Sequence, residues 1–328
     1  MNNRTLLSKA AIDTSTLGNG GKMNPEQSKQ FITFMKDYSA FLRQVDFITM
    51  TTTRRTLEYG EVNKRGMRKA KENQDNPATG TFTTAQRELN AVGTIMPYDV
   101  TFQFMKENIE GKNVNNTLAQ LFAQQFANDT VDLAFNGDEK SKDDFLNIND
   151  GWVSISENDT NTHKVDNSGV TSKIKLFSTL LASMPSKYFQ MYQQEDKSLI
   201  KIFVSHSVNR AYKEELTSRN TALGDSILVN GQNVHYDGFE IVPVGFLSDD
   251  VQIVTPYKNL AYGIYGQSLE VYHDVVPRKT RHEYTLLADF DFEIHNPDAL
   301  VIAKSRTSET GSNPSGGETT NEGGGGNG

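Results

Sequence analysis

Apolar side chains recur at helical spacing near the start of the chain. They sit at Phe31, Phe34, Met35, Tyr38, Phe41, Leu42 and Val45, a pattern that predicts one wide apolar helix face. Asn24, Pro25 and Glu26 favour a helix start. We expect the packing face to comprise Phe31, Phe34, Tyr38 and Phe41. This face either joins the core of its own subunit or docks on another subunit, because a polar stretch, residues 1–23, precedes it.

Residues 46–104 follow a different pattern, in which β-type residues flank a turn-rich segment. "DFITMTTT" predicts a strand that leads into the stretch 54–71, "RRTLEYGEVNKRGMRKAK". "ENQDNPATG" is rich in turn residues, and "TFTTAQRELNAVGTIMPYDVTFQF" then returns with β-type residues. These features predict a long two-stranded excursion. A lone hairpin of that length is marginal in water, so it needs a surface to lie on.

The longest predicted helix spans about residues 117–135. Thr117 and Gln120 fit a capping box, and Gly137 is a natural stop. Its expected core residues are Leu118, Leu121, Phe122 and Phe126. The only tryptophan, Trp152, follows a turn at Asp150 and Gly151.

From about residue 170 the pattern becomes compact α/β. Helices are predicted in "VTSKIKLFSTLLASMP" and "SVNRAYKEELTSR", and strands in "SLIKIFVSH", "FEIVPVG" and "VQIVTP". Four further strands are predicted in "NLAYGIYG", "LEVYHDVV", "YTLLADFDFEIH" and "ALVIAK". Residues 305–328 are low in complexity and lack hydrophobic anchors, so they predict a disordered tail.

Charge sets the 54–71 stretch apart, because it is basic in a chain whose net charge is −8. Its basic residues are Arg54, Arg55, Lys64, Arg65, Arg68, Lys69 and Lys71. A nucleic-acid grip would interleave such residues with stacking aromatics, yet the stretch offers only Tyr59. The pattern favours an arm that faces a partner subunit, with nucleic-acid binding as the alternative.

Composition narrows the class of protein further. The hydrophobic fraction of 36% is low for 328 residues and indicates much extended or solvated chain around a modest core. The chain has no cysteine, which excludes disulfides and thiolate zinc sites. No apolar run could span a membrane, and the start lacks the apolar region of a secretory signal, so we expect synthesis in the cytoplasm.

No pattern of catalytic residues emerges. "LGNGGKMN" lacks the spacing and the Ser or Thr of a phosphate loop, and the six histidines are scattered. Asp289, Asp291 and Glu293 share one face of a strand, which could hold a cation or simply be solvated. We therefore predict no catalytic site, no metal site and no cofactor; an unrecognised hydrolase is the remaining alternative.

The ordered set of segments resembles the major capsid proteins of tailed bacteriophages, which have the HK97-like fold. "LAFNGD" followed by "FLNINDGWVSI" is similar to their helix–loop–GW segment. "VTPYKNLAYGIYGQSLEVYHD" and "LADFDFEIHNPDALVIAK" are similar to their closing strands. The resemblance covers about residues 25–304, and it rests on the order of the segments rather than on one motif.

The resemblance implies an α+β fold and a division of the chain into domains. An N-terminal arm and helix would take residues 1–50, and an extended β-hairpin, the E-loop, residues 51–92. The peripheral domain, with its long spine helix, would comprise 93–165 and 267–304. An α/β axial domain would span 166–266.

The resemblance also implies a structural function. Copies of the chain would form pentamers and hexamers of an icosahedral shell around double-stranded DNA, held non-specifically, with a portal protein at one vertex. About 24 residues precede the first predicted helix, so we expect a separate scaffolding protein. The expected location is the virion, after assembly in the host cytoplasm. Decoration proteins and a covalent lysine crosslink stay open, and an encapsulin-like nanocompartment shell is the alternative.

Overall fold

The computed structural model describes residues 33, 35, 39, 41–62, 67, 69, 72, 82–107, 114–191, 199–218 and 234–306. Its strands are β1 (Asp46–Met50), β2 (Arg54–Val62), β3 (Phe82–Asn90), β4 (Val92–Thr101), β5 (His163–Asp166), β6 (Ile200–Ser205), β7 (His235–Tyr236), β8 (Phe239–Val244), β9 (Gln252–Pro256), β10 (Leu260–Tyr265), β11 (Glu270–Val276), β12 (Arg281–Ile294) and β13 (Val301–Lys304). Its α-helices are α1 (Phe102–Glu107), α2 (Val114–Asn136), α3 (Trp152–Asn158), α4 (Lys173–Ser183), α5 (Ser186–Met191) and α6 (His206–Thr217). The start predicted at Asn24 lies outside the described residues.

A five-stranded sheet is built around the long strand β12. This strand pairs antiparallel with β4, β10 and β11, and β1 lies parallel to β10. Its even-numbered residues from Tyr284 to Ile294 are buried, whereas the odd-numbered ones are half-exposed. That alternation is typical of a strand with one face on a core. Helix α2 covers the buried face, where Phe126 packs edge-on against Phe290.

The predicted spine helix is confirmed as α2, but with different bounds and one different contact. The helix begins at Val114, so Thr117 and Gln120 lie inside it and do not cap it. Phe126 is buried and Phe122 stacks on Tyr98, as expected of core residues. The expectation for Leu121 is wrong, since it is 54% exposed.

The position of Leu121 on the helix explains this error. The buried face of α2 is centred near Ala123 and Ala127. At about 100° per residue, Leu121 lies roughly 160° around the helix from Ala123. The side chain of the fourth expected core residue, Leu118, lies outside the described residues.

A six-stranded sheet has the order β5-β13-β9-β6-β8-β7. All six residues of β6 are buried, which explains its continuous apolar run. Ser172 and Ser205 cap α4 and α6 through their hydroxyl groups, which accept hydrogen bonds from Lys175 N–H and Val208 N–H. The structure confirms the helices and strands predicted for this α/β part, although their ends are shifted.

The two sheets meet at an aromatic cluster. Phe41 packs against Phe135, Trp152, Phe203 and Tyr257, with ring centroids 5.2–5.9 Å apart. The last turn of the N-terminal segment therefore joins the core of its own subunit, and Met35, Leu42 and Val45 are buried there as well. Phe31, Phe34 and Tyr38 lie outside the described residues.

Two predicted boundaries are corrected by the structure. "FQF" at 102–104 was expected to continue a strand, but β4 ends at Thr101 and these residues begin α1. Ser305 and Arg306, assigned to the disordered tail, are held in place. Arg306 N–H donates to Asp166, and the Ser168 hydroxyl donates to the Arg306 carbonyl oxygen. These bonds extend the folded chain two residues beyond the last strand.

Sheet membership bears on the predicted domain division, which stays a proposal. Strands β5 and β13 come from the ranges assigned to the peripheral domain, yet they lie in the six-stranded sheet. Strand β10 comes from the range assigned to the axial domain, yet it lies in the five-stranded sheet. The chain therefore passes from one sheet to the other at more points than the predicted domain boundaries allow.

Candidate assembly site

The predicted two-stranded excursion is confirmed as an antiparallel ribbon of β2 and β3. The pairing runs without a break from Arg54 opposite Asn90 to Val62 opposite Phe82. Most described ribbon side chains are exposed, including Phe82 at 66%. At about 3.3 Å per residue, the nine pairs span roughly 30 Å.

The base of the ribbon has a small apolar core, which the sequence did not predict. Leu57 and Leu89 are buried in a cluster with Ile48, Met50 and Ala261. Gly263 makes room for this contact, because a Cβ there would lie 2.8 Å from both Leu89 Cδ1 and Met50 Sδ. The ribbon therefore contributes to the core of its own subunit at its base.

A polar anchor lies beside this apolar contact. The Arg87 guanidinium pairs with Asp159 at the end of α3 and lies 3.9 Å from the Glu293 carboxylate. Asn90 N–H donates to Asp291 Oδ2 at 2.6 Å. These contacts join β3 to β12, so the ribbon is attached to the sheet at its last residues.

The anchor changes the electrostatics of the β12 face that carries Asp289, Asp291 and Glu293. Burial raises the pKa of Asp291 to about 7, against the lowering effect of the hydrogen bond from Asn90 N–H. Burial likewise raises the pKa of Glu293, and Arg87 partly offsets this. The sequence left open a solvated face or a cation site; instead, the ribbon base covers Asp291 and Glu293. Among the described residues, no cluster of His, Asp or Glu is arranged to hold a metal ion.

The structure describes only some of the predicted basic residues. Arg54 and Arg55 lie in β2 with exposed side chains. Arg54 donates to the Asn90 side chain and Arg55 to the Thr49 carbonyl oxygen, both within the same chain. Lys69 is exposed, and Lys64, Arg65, Arg68 and Lys71 lie outside the described residues. Their contact with a neighbouring subunit stays a prediction.

A buried hydrogen-bond network accounts for the closing motifs "PYKNL" and "HNPDAL". Asn259 Nδ2 donates to the Asn296 carbonyl oxygen, and Asn296 N–H donates to Asn259 Oδ1. Asp298 then accepts hydrogen bonds from Tyr188, His163 and Lys187. Burial disfavours the Asp298 carboxylate, but these three bonds outweigh it and hold the pKa of Asp298 below its ordinary value. The network ties the end of β12 to the six-stranded sheet.

Comparison with known proteins gives one relative and several structures. No family model matches the chain. The chain is 26% identical over 320 residues to a protein of Bacillus subtilis (strain 168) named as a candidate prophage capsid protein, YqbE. The aligned residues cover 92% of this chain and 98% of that relative. Among the described helices, none is long and apolar enough to cross a membrane.

Solved phage and particle structures share the fold at low sequence identity. The satellite phage P4 procapsid structure, which includes the size determination (Sid) protein, matches with a TM-score of 0.65 at 13% identity, over 93% of this chain and 98% of that chain. The capsid of an empty GTA particle matches with a TM-score of 0.55 at 10% identity, over 82% and 90% of the two chains. The Gordonia phage Cozz structure matches with a TM-score of 0.52 at 12% identity, over 82% of this chain and 86% of that chain.

The architecture and these matches show that the chain shares the fold of phage capsid structures. The chain has the HK97-like α+β fold, and the predicted resemblance to the major capsid proteins of tailed bacteriophages is confirmed.

Proposed function

We propose that the chain assembles as pentamers and hexamers into a closed icosahedral shell that encloses double-stranded DNA. The observation that carries the proposal is the β2–β3 ribbon, which buries Leu57 and Leu89 at its base and leaves most of its other described side chains exposed. A two-stranded ribbon of this length is marginal alone, and a neighbouring subunit supplies the missing surface. A repeated head-to-tail contact of this kind closes into a ring when its rotation divides a full turn evenly.

The outer face of the five-stranded sheet is the surface that we propose receives a neighbour's ribbon. Ile95 is 65% exposed and Tyr272 is 42% exposed, and both lie on the face turned away from α2. Asp99, Glu283 and Asp274 stand in register across β4, β12 and β11 on the same face, where Arg281 pairs with Asp99 and Glu283 and leaves a net negative charge. Apolar side chains beside carboxylates suit a ribbon with exposed Phe82 and basic residues.

The charge of the whole chain suits a container for DNA. A net charge of −8 opposes strong binding of the polyanion, so the enclosed DNA would be held non-specifically. We propose a location in the virion after assembly in the host cytoplasm. A scaffolding protein and a portal protein at one vertex are the partners that this role requires.

Electron microscopy of the full-length chain, before and after nuclease treatment, tests the proposal. We expect closed shells with five-fold and six-fold rings, and these should resist nuclease because protein contacts hold them together. A chain that stays monomeric at every concentration, with or without a scaffolding protein, would contradict the proposal. A steep, salt-sensitive affinity of the free subunit for DNA would instead support the nucleic-acid alternative.

A further inference from the structure

The two faces of the β2–β3 ribbon have different surroundings. Residues paired across an antiparallel ribbon lie on one face, and successive residues of a strand alternate between the two faces. Leu57 and Leu89 define an inner face, which is buried against the rest of the subunit at the base of the ribbon. Gly60 and Phe82 lie on the opposite, outer face, where Phe82 is 66% exposed.

Gly60 makes room for the Phe82 ring. Gly60 pairs with Thr84 and Phe82 pairs with Val62, so the two residues are diagonal neighbours across the ribbon. A Cβ on Gly60 would lie 2.6 Å from Phe82 Cζ and 2.8 Å from Phe82 Cε2. The ring therefore occupies the place of a side chain at residue 60. Glycine in a strand often marks such a close approach.

Phe82 differs in chemistry from its neighbours on the outer face. The other exposed side chains described on this face are polar, and they are Arg54, Thr56, Glu58, Thr84, Gln86, Glu88 and Asn90. A single exposed apolar residue is ordinary on a protein surface. A ring that a glycine holds against the backbone is different, because its position is fixed before any partner arrives, which lowers the entropic cost of a contact.

An apolar patch that suits this ring lies on the outer face of the five-stranded sheet. Ile95 of β4 stands opposite Leu287 of β12, and in the next row Thr285 of β12 stands between Pro97 and Tyr272. Ile95 and Pro97 are exposed, Tyr272 is 42% exposed and Leu287 is half-buried. These four apolar residues form the sheet patch.

The ring and the sheet patch of one subunit do not cover each other. Phe82 is 66% exposed and Ile95 is 65% exposed in the same chain. A second copy of the chain presents both surfaces again, so a contact between them joins the ribbon of one copy to the sheet of the next. This contact is head-to-tail, and it can repeat around a ring.

The charges beside the two surfaces are complementary. Beyond the sheet patch, the next row of the same face carries three carboxylates, which Arg281 offsets only in part. Lys64 and Arg65 follow Val62, the residue opposite Phe82, by two and three positions in the sequence. A ribbon whose Phe82 ring enters the patch thus brings basic residues toward the carboxylates.

We propose that Gly60 fixes the position of Phe82, and that the sheet patch of a second copy of the chain receives the Phe82 ring at the centre of the contact between subunits. This role of the two residues rests on the proposed shell. It adds which side chain carries the contact and which residue positions that side chain.

The concentration at which the full-length chain assembles, measured by sedimentation, tests the two residues together. Phe82→Ala should raise this threshold at least about tenfold, because a central aromatic side chain carries much of the free energy of a contact. Gly60→Ala keeps the ring but displaces it, so it should raise the threshold as well. Added to Phe82→Ala, it should change nothing further, since no ring is left to position. Gln86→Ala is the matched control on the same ribbon face and should keep the wild-type threshold.

Introduced thiols test the site of the contact, because the chain has no cysteine of its own. A Thr84→Cys chain is mixed with an Ile95→Cys chain and treated with a short bismaleimide. We expect more covalent dimer from the mixture than from either chain alone. Leu121→Cys in place of Ile95→Cys is the control, since Leu121 is 54% exposed but lies on α2, which covers the opposite face of the sheet.

Three results would overturn the proposal and leave the proposed shell intact. They are a wild-type assembly threshold for Phe82→Ala, additive effects of Gly60→Ala and Phe82→Ala, and equal dimer yields with Leu121→Cys and Ile95→Cys. A wild-type chain that never assembles would contradict the shell itself, and the contact would fall with it.

Discussion

The backbone N–H of Gly151 donates a hydrogen bond to the carbonyl oxygen of Gly137 at 2.9 Å. This bond joins the end of the spine helix α2 to the start of α3. A Cβ on Gly151 would lie 2.5 Å from the Leu133 carbonyl oxygen, and one on Gly137 would lie 2.4 Å from the Asn149 carbonyl oxygen. The two glycines of "FNGD" and "NDGW" are therefore required by a close approach of backbone to backbone.

Gly151→Ala should destabilise the chain by about 1–3 kcal/mol or more, because backbone must move to admit the methyl group. Gly245→Ala is the matched control: a Cβ at Gly245 meets no atom within 4 Å, so its effect should stay within about 0.5 kcal/mol. Urea unfolding of the unassembled chain measures both free energies. Equal stabilities of the two variants would show that the close approach is not required.

Phe41→Ala should remove the aromatic contact that joins the two sheets. Phe41 packs against rings from both sides of the junction, so we expect a loss of about 3–5 kcal/mol in the free energy of unfolding. Phe104→Ala is the control. Phe104 is 48% exposed, so its replacement should lower the free energy of unfolding much less. A loss for Phe41→Ala no larger than that for Phe104→Ala would place this side chain outside the core.

Asp298→Asn should weaken the junction network in a pH-dependent way. The hydrogen bonds from Lys187, Tyr188 and His163 hold the folded-state pKa of Asp298 below its ordinary value. A depressed carboxyl pKa stabilises the fold above the unfolded-state value of about 4, and that contribution is lost as the pH falls through the folded-state value. The wild type should therefore unfold at higher urea than the variant near neutral pH, with the gap closing in acid. A gap that is constant with pH would exclude this role for the charge.

The triple charge reversal Arg65→Glu, Arg68→Glu and Lys69→Glu should impair assembly but not folding. The basic stretch that follows β2 is expected to meet carboxylates of a neighbouring subunit, so reversed charges would repel them. The control exchanges the same residues with retained charge: Arg65→Lys, Arg68→Lys and Lys69→Arg. Circular dichroism reads the fold, and sedimentation reads the assembly. Unfolding of the reversed subunit itself would show that the stretch belongs to its core.

Local pattern was enough to predict most elements of the fold. The alternation in "YTLLADFDFEIH" predicted a strand with one apolar face, and β12 has this face buried on α2. The failures have long-range causes. The apolar Leu121 looked like a core residue, but the direction in which α2 faces the sheet depends on contacts with β12 that no local pattern encodes.

The anchor of the ribbon could not be predicted for the same reason. Arg87 finds its partners Asp159 and Glu293 far along the chain, and nothing around "AQRELN" distinguishes it from a solvated arginine. Leu57 and Leu89 carried a weak signal, as single apolar residues in polar strands. Burial raises the pKa of Asp291, and Asn90 N–H of β3 donates to its carboxyl group, so neither effect is visible before the ribbon is placed.

A reconstruction of the assembled particle by electron cryo-microscopy tests the central claim most directly. We predict a closed shell of five-fold and six-fold rings in which each β2–β3 ribbon lies on the outer sheet face of a neighbouring subunit, near Ile95 and Tyr272. Particles in which each ribbon contacts only its own subunit, or preparations without a closed shell even in the presence of a scaffolding protein, would contradict it.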